Sequence, residues 1–257
     1  MSNTFNIQRF GALFKKHTLE HSKTYALFAG ILIGLMFVVL MFMSFTNNGH
    51  LNIYGQIPIF IFGLLLAGSM FTSTAFADLG NKSKGIPALM LPASHFEKYL
   101  VAWLYTYVFF QVVFVAVFYS TTEIVMALGK HDLPTDMVNV FDTQNDCWYA
   151  FIMYGLFHAF AFFGAILFKK LHFIKTAIVF FMCVIVLVII NGPLLARMIG
   201  AEIDGGLPFQ RLFLKENDRY IAINASPNMI NTGFCVLGVV VLLLWTTTYF
   251  RLKEKEV

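Results

Sequence analysis

Charge is what this sequence has least of. Asp, Glu, Lys and Arg make up 12% of its 257 residues against 58% hydrophobic ones, and mean hydropathy is +0.73. An ordinary soluble domain carries about 25% charged residues, so this balance excludes a water-soluble globular fold. Cysteine is scarce too. Cys147, Cys183 and Cys235 have no C-x-x-C spacing, and two lie inside long apolar runs, which suggests neither a disulfide framework nor a metal site. No 20–50-residue repeat or low-complexity tract is present, so an inverted-repeat transporter has no support.

Catalytic motifs are equally lacking. There is no H-E-x-x-H for a membrane zinc protease and no G-x-x-x-x-G-K-[ST] for nucleotide binding. A rhomboid-like serine protease needs Gly-x-Ser and a histidine on a later span, but Ser69 follows Gly68 directly and the last apolar run has no histidine. Ionisable groups at mid-depth, the usual mark of ion or proton traffic, reduce to His158, with Gln111, Asn191 and scattered Ser and Thr as other polar handles. Two readings of His158 stand: a histidine hydrogen-bonded to a neighbouring helix, or a proton relay.

What is present is six uncharged apolar windows: 25–45, 57–77, 99–122, 148–168, 176–196 and 229–250. Each matches the ~20 helical residues that cross a hydrocarbon core of about 30 Å. Helices are the only choice, because these runs lack the short alternating strands of a barrel and must satisfy their own backbone. The fold class expected is all-α and polytopic, with a tail at 1–24, a six-span domain at 25–250 and a tail at 251–257.

Lys and Arg set the orientation. Arg9, Lys15, Lys16, Lys23, Lys82, Lys84, Lys98, Lys169, Lys170, Lys175, Arg251, Lys253 and Lys255 fall on one side, and only Lys130, Arg197, Arg211, Lys215 and Arg219 on the other, with Asp132, Asp136, Asp142 and Asp146. Both ends are therefore expected in the cytoplasm. The net charge of +4 sits beside the cytoplasmic span ends, where anionic lipids supply the counter-charge, and does not point to nucleic acid. The first window is too long for a signal core, has no small-x-small site after Phe45, and is expected to persist in the mature protein.

Before it, Phe5, Ile7, Phe10, Leu13 and Phe14 interleave with Gln8, Arg9, Lys15 and Lys16. That pattern suits a helix lying in the membrane interface; the alternative is a disordered basic tail, since Gly11 weakens the helix. Asn191-Gly192-Pro193 is expected to kink or break the fifth helix, Ser226-Pro227 to open the sixth, and Leu212-Phe213-Leu214 to dip back into the interface. Between spans two and three, Pro87 can start a short helix to Leu91 that Pro92 ends. Ser94 and Glu97 then form a capping box that restarts the chain as the third span.

The run Ala88-Leu89-Met90-Leu91-Pro92-Ala93-Ser94-His95-Phe96-Glu97-Lys98-Tyr99 resembles the "LPxS…EK" stretch that many bacterial type-2 ABC transporter permeases carry after the second span. The six-span layout is compatible along the whole length. The resemblance implies the permease subunit of an ATP-driven exporter in the bacterial inner membrane, working with a separately encoded ABC ATPase and a second permease copy or paralogue. It implies no cofactor on this chain, ATP and Mg being used by the partner. It also assigns coupling to that ATPase to Lys82, Lys84, Pro87, Ala88, Leu89, Met90, Leu91, Pro92, Ser94 and Glu97; the bland reading of the segment is a membrane-surface anchor. Substrate-pathway residues are not assigned. Among the 30 phenylalanines some can line an apolar route, while most are expected to face lipid or pack between helices. The competing function is a non-catalytic scaffold or sensor subunit of a membrane complex.

Overall fold

A computed structural model describes residues 5–76, 93–129, 136–142, 147–168, 171–200, 202–204, 208–209, 212–216, 219–224 and 226–255. Six helices in it are long and apolar enough to cross a membrane: α1 (Ile7–Thr46), α2 (Ile53–Ser73), α3 (His95–Leu128), α4 (Trp148–Leu167), α5 (His172–Ile199) and α6 (Pro227–Lys255). Each expected window overlaps one of them, and the chain is a polytopic, predominantly helical membrane protein. Successive helices alternate in direction. The starts of α1, α3 and α5 and the ends of α2, α4 and α6 thus share one face, called proximal below, and the opposite face is distal.

Local sequence sets the turns. Asn6 caps α1 by accepting the N–H groups of Gln8 and Arg9, and Asn52 caps α2 by accepting that of Tyr54. Between these helices Asn48 and Gly49 take positive φ, a conformation that favours these two residue types, and turn the chain back. Gly200 does the same at the end of α5.

Helix α4 is the hub, lying against α2, α5 and α6. Of its most apolar 18 residues 56% are buried, against 6% in α5, which places α4 at the centre and α5 at the periphery. Lipid tails are as apolar as leucine, so helices in a bilayer associate through close packing and polar contacts rather than by leaving water. The buried side of α4 supplies the close packing with Ala150, Gly155, Ala159, Ala161, Gly164 and Ala165. At Gly164 a methyl group would land on the Thr176 side chain of α5. The main core lies towards the distal half, where Leu32 and Met36 of α1, Phe60 and Leu64 of α2, and Phe110, Phe114 and Phe118 of α3 meet Tyr154. A second cluster, including Phe76, Ala102, Phe162, Ile166 and Leu252, closes the proximal end.

Three features differ from the sequence reading. The basic segment before Thr24 is helical but continuous with the first span, in a helix of 40 residues. At 1.5 Å per residue this is about 60 Å, twice the hydrocarbon thickness, so α1 must project beyond it. Within its aromatic stripe Phe14 stacks on Tyr105 at 5.0 Å and lies 5.7 Å from Phe109, both on α3, while Phe5 and Ile7 are exposed. Helix α5 runs through Pro193 to Ile199, so of the two outcomes expected there, a kink or a break, the break is excluded. Finally, the connection between α5 and α6 holds a three-stranded antiparallel sheet, β1 (Glu202–Asp204), β2 (Leu212–Glu216) and β3 (Arg219–Ile223), ordered β1-β2-β3. Leu212-Phe213-Leu214 is the start of its central strand, with Leu214 paired to Ile203 and Ile221. The class is thus helical with a small distal sheet.

The tight α4–α5 crossing has a measurable consequence. Gly164→Ala is expected to destabilise the protein by about 1–3 kcal/mol, as overpacking does. Thr176→Ala, by removing the branched atoms that meet the new methyl, should restore part of that loss. Denaturant titration of the purified protein in micelles measures both.

Candidate functional site

At the proximal face one carboxylate joins two helix beginnings. Ser94 and Glu97 form the expected capping box on α3: the Ser94 hydroxyl accepts the Glu97 N–H at 3.2 Å, and Glu97 Oε2 accepts the Ser94 N–H at 2.9 Å. The same carboxylate also reaches α1. Arg9 donates through Nε to Oε2 at 2.8 Å and through Nη2 to Oε1 at 2.7 Å, a two-pronged pair, and the backbone N–H of Asn6 donates to Oε1 at 2.9 Å. Both helix N-termini, with their positive dipole ends, therefore point at one negative group. Glu97 is fully buried while the Arg9 side chain is 28% exposed, so the pair is sealed from water on the carboxylate side only.

Glu97 stands in the first turn of α3, ahead of the apolar stretch that begins at Tyr99. The Arg9 guanidinium holds its carboxyl well below the usual carboxylate range; burial opposes this, and the N–H groups of Asn6 and Ser94 reinforce it.

A second polar cluster lies inside the bundle, built on an irregularity in α3. Residues Leu104–Phe109 form a π-helical turn, in which the Phe110 N–H bonds Tyr105 O, five residues back, instead of Thr106 O. The Thr106 carbonyl accepts the Tyr154 hydroxyl of α4 at 2.7 Å. The Thr106 side chain donates to Ala102 O at 2.8 Å and lies 2.9 Å from His158 Nε2, while Trp245 Nε1 of α6 donates to His158 Nδ1 at 3.1 Å. An indole N–H can only donate, so Nδ1 is the acceptor and Nε2 carries the proton. Every donor in the series then points one way, from Trp245 through His158 and Thr106 to a backbone carbonyl. A proton added at Nδ1 would face the indole N–H. His158 is thus the hydrogen-bonded histidine of the first reading, a tie between α3, α4 and α6, and its geometry offers no relay.

Aromatic rings enclose this tie. Tyr107 stacks parallel to Tyr154 at 5.8 Å and meets Trp245 at 5.2 Å, and Phe162 stacks on His158 at 5.2 Å. On the distal side Gln56 is fully buried. Its amide donates to Leu51 O and Asp136 O and accepts the Val138 N–H, while the Tyr119 hydroxyl accepts the Val140 N–H, so residues 136–142 are sewn onto the bundle.

Of the sequence-assigned coupling residues, Ser94 and Glu97 sit together in the clamp. Lys82, Lys84, Pro87, Ala88, Leu89, Met90, Leu91 and Pro92 lie outside the described residues, as does the short helix expected at Pro87–Leu91. Sequence reasoning missed Arg9 and Asn6 as partners of Glu97, and Thr106, Tyr154 and Trp245 as partners of His158. The signal for the second group was Thr, Tyr and Trp polar atoms inside apolar runs, next to a histidine in need of partners. Gln111 and Asn191, the other polar handles, lie on α3 and α5. The fold and these sites define a membrane protein with six candidate spans among the described residues and a clamped proximal end. No family model, no curated protein and no solved structure matches the chain.

The clamp has a directional pH dependence. Because the folded carboxyl lies below its unfolded value, its contribution is fully present above the ordinary carboxylate range, about 4.3, and is lost as pH falls towards the depressed value. Glu97→Gln should remove that acid dependence. In a double-mutant cycle, Arg9→Gln and Glu97→Gln together should cost clearly less than the sum of the single changes; denaturation of all four proteins across pH measures both effects.

Proposed function

We propose that the chain is the permease subunit of an ATP-driven ABC transporter, with export as its direction, acting with a separately encoded ATPase and a second permease copy or paralogue in the bacterial inner membrane. The proximal face is then cytoplasmic, in line with the thirteen Lys and Arg residues that the sequence places in the tails and connections of that side. The observation that carries this reading is the Glu97 clamp. It lies at the C-terminal end of the 82–97 segment whose sequence resembles the coupling stretch of type-2 permeases, and it binds that end to α1 as well as α3. A push on the segment would move two spans together, the element that an ATP-driven two-state shift requires. ATP and Mg belong to the partner; in this chain residues 82–92 are the contact region, while Ser94 and Glu97, expected in it from the sequence, are buried and serve to tie that region to α1 and α3.

One observation favours the second reading, a non-catalytic scaffold or sensor subunit. The mid-membrane network around His158 is closed by its own hydrogen bonds and offers no open polar group to a cargo.

Co-purification from native membranes in mild detergent tests the choice. An ABC ATPase is expected in stoichiometric amount, and Leu89→Asp with Leu91→Asp should sharply reduce its recovery while the chain still inserts. Recovery of another partner in its place would support the scaffold, and ATPase recovery unchanged by the double variant would overturn the coupling assignment.

A further inference from the structure

A third polar group sits on α1, where that helix approaches its apolar window. His17, His21 and Tyr25 are spaced by four residues, which puts all three on one helix face. The imidazole rings of His17 and His21 lie 4.5 Å apart between centres, and the Tyr25 ring lies 5.8 Å from His21 and 6.0 Å from His17. His17 Nε2 and the Tyr25 hydroxyl oxygen face each other at 2.6 Å. All three side chains are half-buried, so each keeps part of its surface open. Helix α3 forms one wall: Tyr105 stacks on Tyr25 at 5.3 Å, lies 4.8 Å from His17 and shares a hydrogen bond with Thr18. Such contacts restrict how far the rings swing, a pre-organisation that lowers the cost of binding.

Two imidazoles one helical turn apart are the donor pair of helical zinc sites, and imidazole suits zinc, copper and nickel alike. The run His17-Thr18-Leu19-Glu20-His21 has the H-x-x-E-H spacing of one class of zinc protease. Here, however, Glu20 pairs with Lys16 at 3.6 Å, and among the described residues no three of His, Cys, Asp and Glu gather into one group. Neither a catalytic base nor a third conventional ligand is in place, so the pattern supports metal binding and not hydrolysis. The same ion pair tempers the positive charge of Lys16 beside the histidines. The third donor is the phenol. Ligands about 2.0–2.1 Å from a tetrahedral ion stand about 3.3 Å apart, so the His17–Tyr25 contact must open by roughly 0.7 Å to admit one, which rotation of the two side chains supplies.

We propose that His17, His21 and Tyr25 hold a divalent transition-metal ion, which replaces the hydrogen bond between His17 and Tyr25 and keeps water at its remaining position. Binding releases the proton of that bond. The site depends on α1 and the Tyr105 wall and not on the permease assignment. A bound ion ties two turns of α1 together beside its seam with α3.

Titration of the tag-free full chain in micelles with Cu²⁺, followed by electron paramagnetic resonance, tests it. Saturation at one ion per chain is expected, with splitting from two imidazole nitrogens. His21→Gln should lower the affinity about tenfold or more and leave splitting from one nitrogen, and Tyr25→Phe should lower it about tenfold, since even a supporting group is worth that much to a metal site. Helical content should be unchanged in both variants. His95→Gln, at a histidine elsewhere on the proximal face, should leave the binding as it is. A wild-type spectrum with fewer than two nitrogens, or no saturation at one ion per chain, would overturn the site without recourse to any variant. Affinity untouched by His21→Gln would mean an adventitious ion only, and affinity untouched by Tyr25→Phe would overturn the phenol as third donor.

Discussion

The Glu97 carboxylate receives the guanidinium of Arg9 and the backbone N–H groups of Asn6 and Ser94, and so ties the start of α1 to the start of α3. In a bilayer there is no gain from removing apolar surface from water, so helix order must come from contacts of this kind and from close packing. The clamp is costly to leave half-made, because a buried carboxylate without its cation is a severe penalty. That asymmetry fixes the register of the two helices. From it follow the stacking of Phe14 on Tyr105 and of Tyr25 on the same ring at 5.3 Å, which continue the α1–α3 seam inward.

The remaining helices are ordered by different means. Small residues on α4 admit its neighbours closely, and the π-helical turn of α3 presents a carbonyl that Tyr154 uses and a hydroxyl that His158 uses. Trp245 brings α6 into the same network. The polar groups around His158 thus act as connectors with their bonds made, which is the opposite of what an ion path requires. The distal side repeats the principle with Gln56, whose one amide serves three backbone groups.

Much of this was legible in the sequence. The six spans follow from uncharged run length, and the Ser94–Glu97 box follows from a spacing of three residues, since both depend on local pattern. Arg9 as the partner of Glu97 was not legible, because the two are 88 residues apart and a basic residue in a tail reads as a solvated charge. The π-helical turn left no mark, as Leu104–Phe109 reads like any apolar helix. The continuity of α1 was obscured by Gly11, whose intrinsic weakness as a helix former is outweighed by flanking helix and by contacts to α3. The distal sheet was hidden in a mixed segment where charges and glycines suggested a loop, although Leu212–Glu216 and Arg219–Ile223 are short enough to be strands.

The central claim is that one buried carboxylate holds α1 and α3 together at the proximal face. Spin labels at Ile7→Cys and Phe96→Cys, in a chain whose Cys147, Cys183 and Cys235 are replaced by Ala, report the separation of these helix starts in lipid. A single narrow short distance is expected in the parent chain, broadening and lengthening when Glu97→Gln is added. A broad distribution in the parent, or one that Glu97→Gln leaves unchanged, would contradict the claim.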